Sequence, residues 1–307
     1  MPEHRPHVAG LHHVTAICGA PQANLDFYTG PMGQRLVKKT VNFDDPETYH
    51  LYYGNPTADP GTILTFFPFV GAAAGWAGPG MASAYVYSVG SGAYDDLLAD
   101  LRGRGVRVSE PTERFGARVA AVSDPDGAQV ELVEASGDHA IAEGGFHSVT
   151  LWLDDIAPTH RLLTGIMGYE DSGHEAGANG ERLRLQVPGG ARGAIVDLIR
   201  RDGAPRGRAG RGTIHHVAFR AADREDQENW RERLAEGGMA VTPVIDRQYF
   251  DAIYFREPGG ILFEIATDPP GFTRDEPLEH LGEALMLPEQ YEPRRAEIEA
   301  GLPPLHP

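Results

Sequence analysis

A chain of 307 residues is long enough for two ordinary domains and a sizeable core. Its formal net charge of −17 excludes the clustered cations that a nucleic-acid or anionic-membrane partner needs, and 41% hydrophobic with 23% charged residues fits a soluble globular protein. Cys18 is the only cysteine, which excludes an intrachain disulfide; the opening MPEHRPHVAG lacks a signal core and no apolar run reaches the roughly twenty residues of a membrane span, so a cytoplasmic setting is expected.

The first predicted strand lies in GLHHVTAI (10–17) and leads through a helical stretch to a glycine before the next strand. A second unit opens with MASAYVYSV (81–89). Its helix follows, where Tyr94, Leu97, Leu98 and Leu101 share one face and Gly103 lies near the end. The polar stretch SGDHAIAEG (136–144) divides the chain. Beyond it GFHSVTLWLDDIAPTHRLLTGIMG (145–168) repeats the pattern of residues 10–33, with His147 standing 135 residues after His12. The fourth unit opens with GTIHHVAFR (212–220), followed by a helix in which Trp230 and Leu234 share a face and Gly237 serves as C-cap. SDPDGAQVELVEAS (123–136) and REPGGILFEIATD (256–268) form a second match, placing Glu131 and Glu264 133 residues apart. Two matches at nearly one offset indicate a duplication.

Each unit reads as strand, helix and about three strands. The expected fold is α+β: four βαβββ modules in two duplicated halves, residues 1–140 and 141–270, with a tail at 271–307 holding a short helix. GAPRGRAGRG (203–212) reads as a mobile connection that would be free to act as a lid.

Strand alternation separates the members of each histidine pair. His12, Val14 and Ala16 share one face of the first strand; His215, Val217 and Phe219 share one face of the fourth unit's opening strand. The apolar companions assign those faces to the helices. His13, Thr15 and His216 then point to the opposite, concave side, as does Glu264, which alternates with Ile261, Phe263 and Ile265. A carboxylate buried among such residues is costly unless paired or bound to a cation. In the third unit Ser148 replaces the second histidine, the second unit's first strand has none, and DPGTILTFF aligns Phe66 with Glu264 in the first. The site is therefore expected between the first and fourth modules, with His13, His216 and Glu264 as metal ligands. Two histidines and one carboxylate form the facial set that leaves open positions on Fe(II); Mn(II) and Zn(II) suit the same donors.

The fourfold unit resembles the vicinal oxygen chelate superfamily of glyoxalase I and the extradiol dioxygenases. More narrowly, GLHHVTAI, NLDFYTGPMGQRLVKKTVNFDDPETYHLYYG, GTIHHVAF and DRQYFDAIYFREPGGILFEIATDPPGF resemble the hydroquinone-type ring-cleaving dioxygenases, a likeness that runs over nearly the whole chain. It implies Fe(II), or Mn(II), held by His13, His216 and Glu264, O2 as co-substrate, and a small aromatic diol as substrate. It also implies metal-surrounding or substrate-contacting roles for His12, Thr15, His215, Arg247 and Tyr254. Two alternatives stand beside it: a glyoxalase-like metal-dependent isomerase or lyase, which generally uses two histidines and two carboxylates, and a non-catalytic protein that binds aromatic compounds or drugs. Four units in one chain complete a site without a partner, which is compatible with a homo-oligomer.

Overall fold

The computed structural model describes residues 6–178, 180–190 and 192–306; the first five residues of the polar opening stretch lie outside them. The first module comprises β1 (Leu11–Cys18), α1 (Pro21–Thr29), β2 (Arg35–Asn42), β3 (Asp45–Gly54) and β4 (Ile63–Pro68). The second comprises β5 (Met81–Gly90), α2 (Tyr94–Gly103), β6 (Thr112–Arg114), β7 (Ala117–Ser123) and β8 (Gln129–Ala135). A single turn, α3 (Ile141–Gly144), leads into β9 (Phe146–Trp152), α4 (Ile156–Gly165), β10 (Glu170–Gly177), β11 (Gly180–Gln186) and β12 (Ile195–Arg201). The fourth module is β13 (Thr213–Ala221), α5 (Arg224–Glu236), β14 (Ile245–Asp246), β15 (Phe250–Arg256) and β16 (Leu262–Pro270). No helix among the described residues is long and apolar enough to cross a membrane.

These strands form two curled eight-stranded sheets, and each sheet draws on both sequence halves. One runs β14-β15-β16-β13-β1-β4-β3-β2, joining the fourth module to the first; the other runs β10-β11-β12-β9-β5-β8-β7-β6, joining the third to the second. The seams are antiparallel, β1 with β13 and β5 with β9. Val14, Ala16, Val217, Phe219, Phe263 and Ile265 lie in the main core, where the helices pack. Burying side chains of this size contributes roughly 1.5–3 kcal/mol each. Ala218 and Ala266 belong instead to a separate cluster on the concave side, together with Tyr52, Phe250 and Phe272.

Both seams carry the same irregularity. His13 pairs with Ala218 but Leu11 with Phe219, leaving His12 as an extra residue in β1; Thr15 pairs with His216 but Ala16 with Ile214, leaving His215 extra in β13. In the other sheet the equivalent extra residues are Ser83 and His147. Four β-bulges therefore recur at one position of the repeat, each adding a residue that breaks alternation and re-aims a side chain.

The tail closes one end of the concave side of the first sheet. Lys38 on β2 is fully buried and pairs with Asp275 at 2.6 Å and Glu276 at 2.5 Å, while Phe272 stacks on Tyr249 and meets Tyr52 edge-on. Three 3-10 turns and the short helix α6 (Arg295–Gly301) follow, and Tyr291 donates to the Phe43 carbonyl at 2.7 Å. The connection 203–212 lies elsewhere: its Arg208 and Arg211 bridge to Trp76 and Ala74, and Arg211 pairs with Asp126 of the second module. Removing the Lys38 ammonium strands two largely buried carboxylates. Lys38→Ala is expected to cost about 3–5 kcal/mol, read as a lower thermal midpoint and faster protease cleavage within residues 272–301.

Candidate metal centre

Sheet order determines which side chains meet. Strands β16, β13, β1 and β4 are consecutive neighbours, so Glu264, His216, His13 and a residue of β4 form a row across the concave face. His13 Nε2 lies 3.3 Å from His216 Nε2 and 3.3 Å from Glu264 Oε2, and His216 Nε2 lies 3.0 Å from the same oxygen. All three residues are buried, Glu264 completely. Among the described residues this is the one group of three or more His, Cys, Asp or Glu side chains whose donors converge in this way.

Neither oxygen of Glu264 has a hydrogen-bond partner, because neither imidazole directs an N–H at it. Burial alone would raise the Glu264 carboxyl, but its contacts with His13 and His216 outweigh that and hold it below the usual carboxylate range. Burial pushes the His216 imidazole down. The centre is thus a buried carboxylate without a hydrogen bond, faced by two imidazole nitrogens, a combination that is unfavourable in a buried site unless a cation joins it. Donors 3.0–3.3 Å apart suit a first-row dication with bonds of about 2.1 Å. The donor set fits a metal.

The bulges explain the paired histidines. His12 Nδ1 lies 2.9 Å from His13 Nδ1, and His215 Nδ1 lies 2.8 Å from His216 Nδ1. Burial lowers His12 to about 3 and His215 to about 4, so each is neutral and can accept the Nδ1–H of its neighbour. That leaves the Nε2 lone pairs of His13 and His216 free to converge, the arrangement that orients metal-bound imidazoles. Strand alternation would have turned His12 and His215 toward the helices. The bulges turn them instead, so that His12 packs on Phe250 and His215, exposed at the rim, meets Phe67 edge-on.

A cavity of about 360 Å³ opens over the three donors, within the range for small-molecule sites. Its walls include Phe43, Phe67, Phe69, Phe250 and Leu262, with polar groups from Asn42, His50, Tyr52, Thr242, Arg247 and Tyr254. Arg247 is not a free surface charge: its Nε donates to Tyr254 Oη at 3.3 Å and its Nη1 pairs with Asp44 at 3.0 Å. Tyr254 pairs with Glu264 across β15 and β16, and burial pushes its phenol up. Thr15 lies against Thr65, hydroxyl to hydroxyl at 2.9 Å, and is fully buried. No residue of the 203–212 connection borders this cavity; Arg206, Gly207 and Ala209 line a neighbouring one that shares His215 and Leu262 with it.

The alignment of Phe66 with Glu264 is off by one residue. Glu264 pairs with Ala218 on the neighbouring strand, and the residue in that relation to the first module is Thr65, which pairs with Thr15. Phe66 packs into the main core beside Tyr28. The fourth place in the row is therefore a threonine hydroxyl, and no second carboxylate is present there. His50, Tyr52 and Thr65 were not anticipated from sequence, although His50 and Tyr52 share the parity opposite to Tyr49, Leu51 and Tyr53, which lie in the main core.

The other sheet supplies a control. By the duplication, Ser148 and Ala84 occupy the places of His13 and His216, while Asp197 and Glu131 occupy those of Thr65 and Glu264. Arg182 and Arg184 hold Asp197 at 2.8 Å, and Arg114 grips Glu131 through both oxygens at 2.5 and 3.0 Å. There the carboxylates have guanidinium partners. At Glu264 nothing of the kind exists.

The glyoxalase/bleomycin resistance protein/dioxygenase superfamily model matches residues 10–132 and 145–265. This chain belongs to that superfamily. It is 48% identical over 306 residues to the "Putative ring-cleaving dioxygenase MhqO" of Bacillus subtilis strain 168, covering 96% of each chain. It is 34% identical over 311 residues, 95% of each, to the chlorohydroquinone/hydroquinone 1,2-dioxygenase of Sphingobium indicum. The crystal structure of a "putative dioxygenase" from Bacillus subtilis strain 168 superposes with a TM-score of 0.91 at 46% identity, covering 98% of both chains. Glyoxalase I from Zea mays shares the fold, with a TM-score of 0.66 at 14% identity over 84% of this chain and 92% of that one.

Alanine at position 13, 216 or 264 is expected to reduce bound metal from one equivalent to a small fraction, measured by elemental analysis after anaerobic reconstitution. Because burial lowers the His216 imidazole, protonation of that ligand should displace the metal only once the pH falls below the ordinary histidine value of about 6.5. Metal affinity that already fell between pH 8 and 7 would contradict this.

Proposed function

We propose that this protein is a non-haem, Fe(II)-dependent ring-cleaving dioxygenase that inserts O2 into a hydroquinone-type aromatic ring, with Mn(II) suited to the same donors. The observation that carries the proposal is the buried, hydrogen-bond-free Glu264 converging with His13 and His216 at the floor of an aromatic-walled cavity. Relatives of nearly the same length that are named for aromatic ring cleavage support it.

When bound, the metal supplies a positive charge that favours a deprotonated phenol and positions that substrate and oxygen can share. The chain's own residues do the rest. Phe43, Phe67, Phe69 and Phe250 bury the ring and exclude water from it. His12 and His215 hold the tautomer and direction of the ligating imidazoles. Tyr254 stands beside Glu264 with its hydroxyl oxygen accepting from Arg247, which leaves its own proton to be donated to an oxygen bound in the cavity. The guanidinium stabilises negative charge that builds on that oxygen during proton transfer. Thr65 in the fourth place leaves one side of the donor row without a carboxylate, which disfavours a two-carboxylate isomerase arrangement. We also place the protein in a reducing compartment, in keeping with its lone, buried Cys18.

Iron-loaded, anaerobically purified protein should consume O2 with at least one member of a panel of hydroquinones and catechols. No uptake with any of them, or isomerisation of a thiol adduct with nickel or zinc bound, would overturn the assignment. His215→Ala should lower turnover or metal affinity about 10–100-fold while leaving the fold intact.

A further inference from the structure

The concave side of the first sheet has an internal two-fold relation that extends beyond the ligands. His216 corresponds to His13, Ala218 to Thr15 and Glu264 to Thr65. Tyr254 pairs with Glu264 across β15 and β16; Tyr52 pairs with Thr65 across β3 and β4. Tyr52 is therefore the counterpart of Tyr254 on the other flank of the donor row, and both line the cavity.

The two tyrosines are backed differently. Tyr254 receives Arg247, a permanent cation and obligate donor. Tyr52 Oη lies 2.8 Å from His50 Nδ1; His50 Nε2 lies 2.8 Å from Thr65 Oγ1, which lies 2.9 Å from Thr15 Oγ1. His50 is clamped between the rings of Tyr52 and Phe67, at centroid distances of 4.1 and 4.3 Å. Among the described residues Tyr52 Oη has no other hydrogen-bond partner, so it retains capacity toward the cavity.

We propose that Tyr52 contacts the substrate, recognising an oxygen of a hydroxyl-bearing aromatic ring on the Thr65 flank of the cup, and that His50, Thr65 and Thr15 are positioning residues that aim its hydroxyl. This inference rests on the ring-cleaving reading above. The chain Tyr52–His50–Thr65–Thr15 is uncharged, and each hydroxyl in it can donate or accept. With Nε2–H directed to Thr65, Tyr52 donates to Nδ1 and its oxygen accepts from a ligand hydroxyl. In the other tautomer Nδ1–H donates to Tyr52, whose own proton then points to a ligand carbonyl or phenolate. The wall can therefore present an acceptor to a ligand hydroxyl in one tautomer and a donor to a ligand carbonyl or phenolate in the other. The Arg247-backed arm cannot reverse in this way, because arginine only donates.

The test uses holoprotein loaded with zinc, which is redox-inert, titrated anaerobically with hydroquinone by calorimetry, alongside O2-electrode kinetics of the iron form. Tyr52→Phe is expected to weaken hydroquinone binding about five- to tenfold, the scale of one hydrogen bond in a buried site. KM should rise more than kcat falls, with zinc stoichiometry unchanged. Thr65→Val should move binding the same way by releasing His50, and Thr65→Ser should restore it, an outcome that side-chain volume alone would not give. Wild-type affinity and KM in Tyr52→Phe, or loss of zinc together with affinity, would overturn the proposal. If Tyr52→Phe does not fold, the Thr65 pair decides it. Zinc protein whose hydroquinone binding depends on Tyr52, while the iron form consumes no O2, would sustain this inference and reject the dioxygenase reading. Absence of binding to any ring diol would reject both.

Discussion

A buried carboxylate without a hydrogen bond is among the costliest groups a protein can hold, and among the described residues Glu264 is kept in that condition by the strands around it. Its position on β16 is dictated by alternation with Phe263 and Ile265, which the core requires on the opposite face. The carboxylate cannot leave without exposing those side chains or breaking the β13–β16 ladder. A cation would offset that cost without disturbing the fold, and two imidazoles are turned toward the point where it would rest.

The comparison between sheets shows that this is a choice of residues and not a consequence of architecture. The same four positions recur in the second sheet with the same bulges, yet there two carboxylates meet three arginines and the histidines are replaced by Ala84 and Ser148. There the guanidinium groups satisfy every carboxylate oxygen, so neither carboxylate is left without a partner. His147, next to Ser148, retains the geometry of a paired histidine but reaches only a hydroxyl, at 3.0 Å. One scaffold thus yields converging, unpaired donors in one sheet and ion-paired carboxylates in the other.

Much of this was legible in the residues. Duplication, the α+β modules and the assignment of the centre to the first and fourth units follow from repeat offsets and from which units lack histidine. Alternation correctly sent His13, His216 and Glu264 to the concave face because the strands are regular at those positions. It failed at His12 and His215, where a bulge inserts one residue, since a bulge leaves the sequence pattern of either strand almost unchanged and is defined only by the partner's register. The one-residue slip between Phe66 and Thr65 has a related cause: ILTFF carries no polar residue bulky enough to mark its face, so its register emerges only from the pairing with β1. His50 and Tyr52 were hidden for another reason, since nothing local to β3 reveals that its concave face borders a site built by strands elsewhere in the chain.

That non-locality has a thermodynamic consequence. His13 and His216 are 203 residues apart, and they become neighbours only when β1 pairs with β13, the seam that joins the first module to the last. The unfolded chain cannot pre-form such a centre. Any cation bound to all three donors therefore binds the native state alone, and the stabilisation it contributes grows as RT ln(1 + [M]/Kd), about 4 kcal/mol when the metal stands at 1,000 times its Kd. The same seam closes the largest chain loop in the first sheet, so the metal's free energy acts where loop-closure entropy opposes folding. Formation of the site and closure of the first sheet are consequently one event: a chain that has failed to bring its last module onto its first has neither the cavity nor the three converging donors.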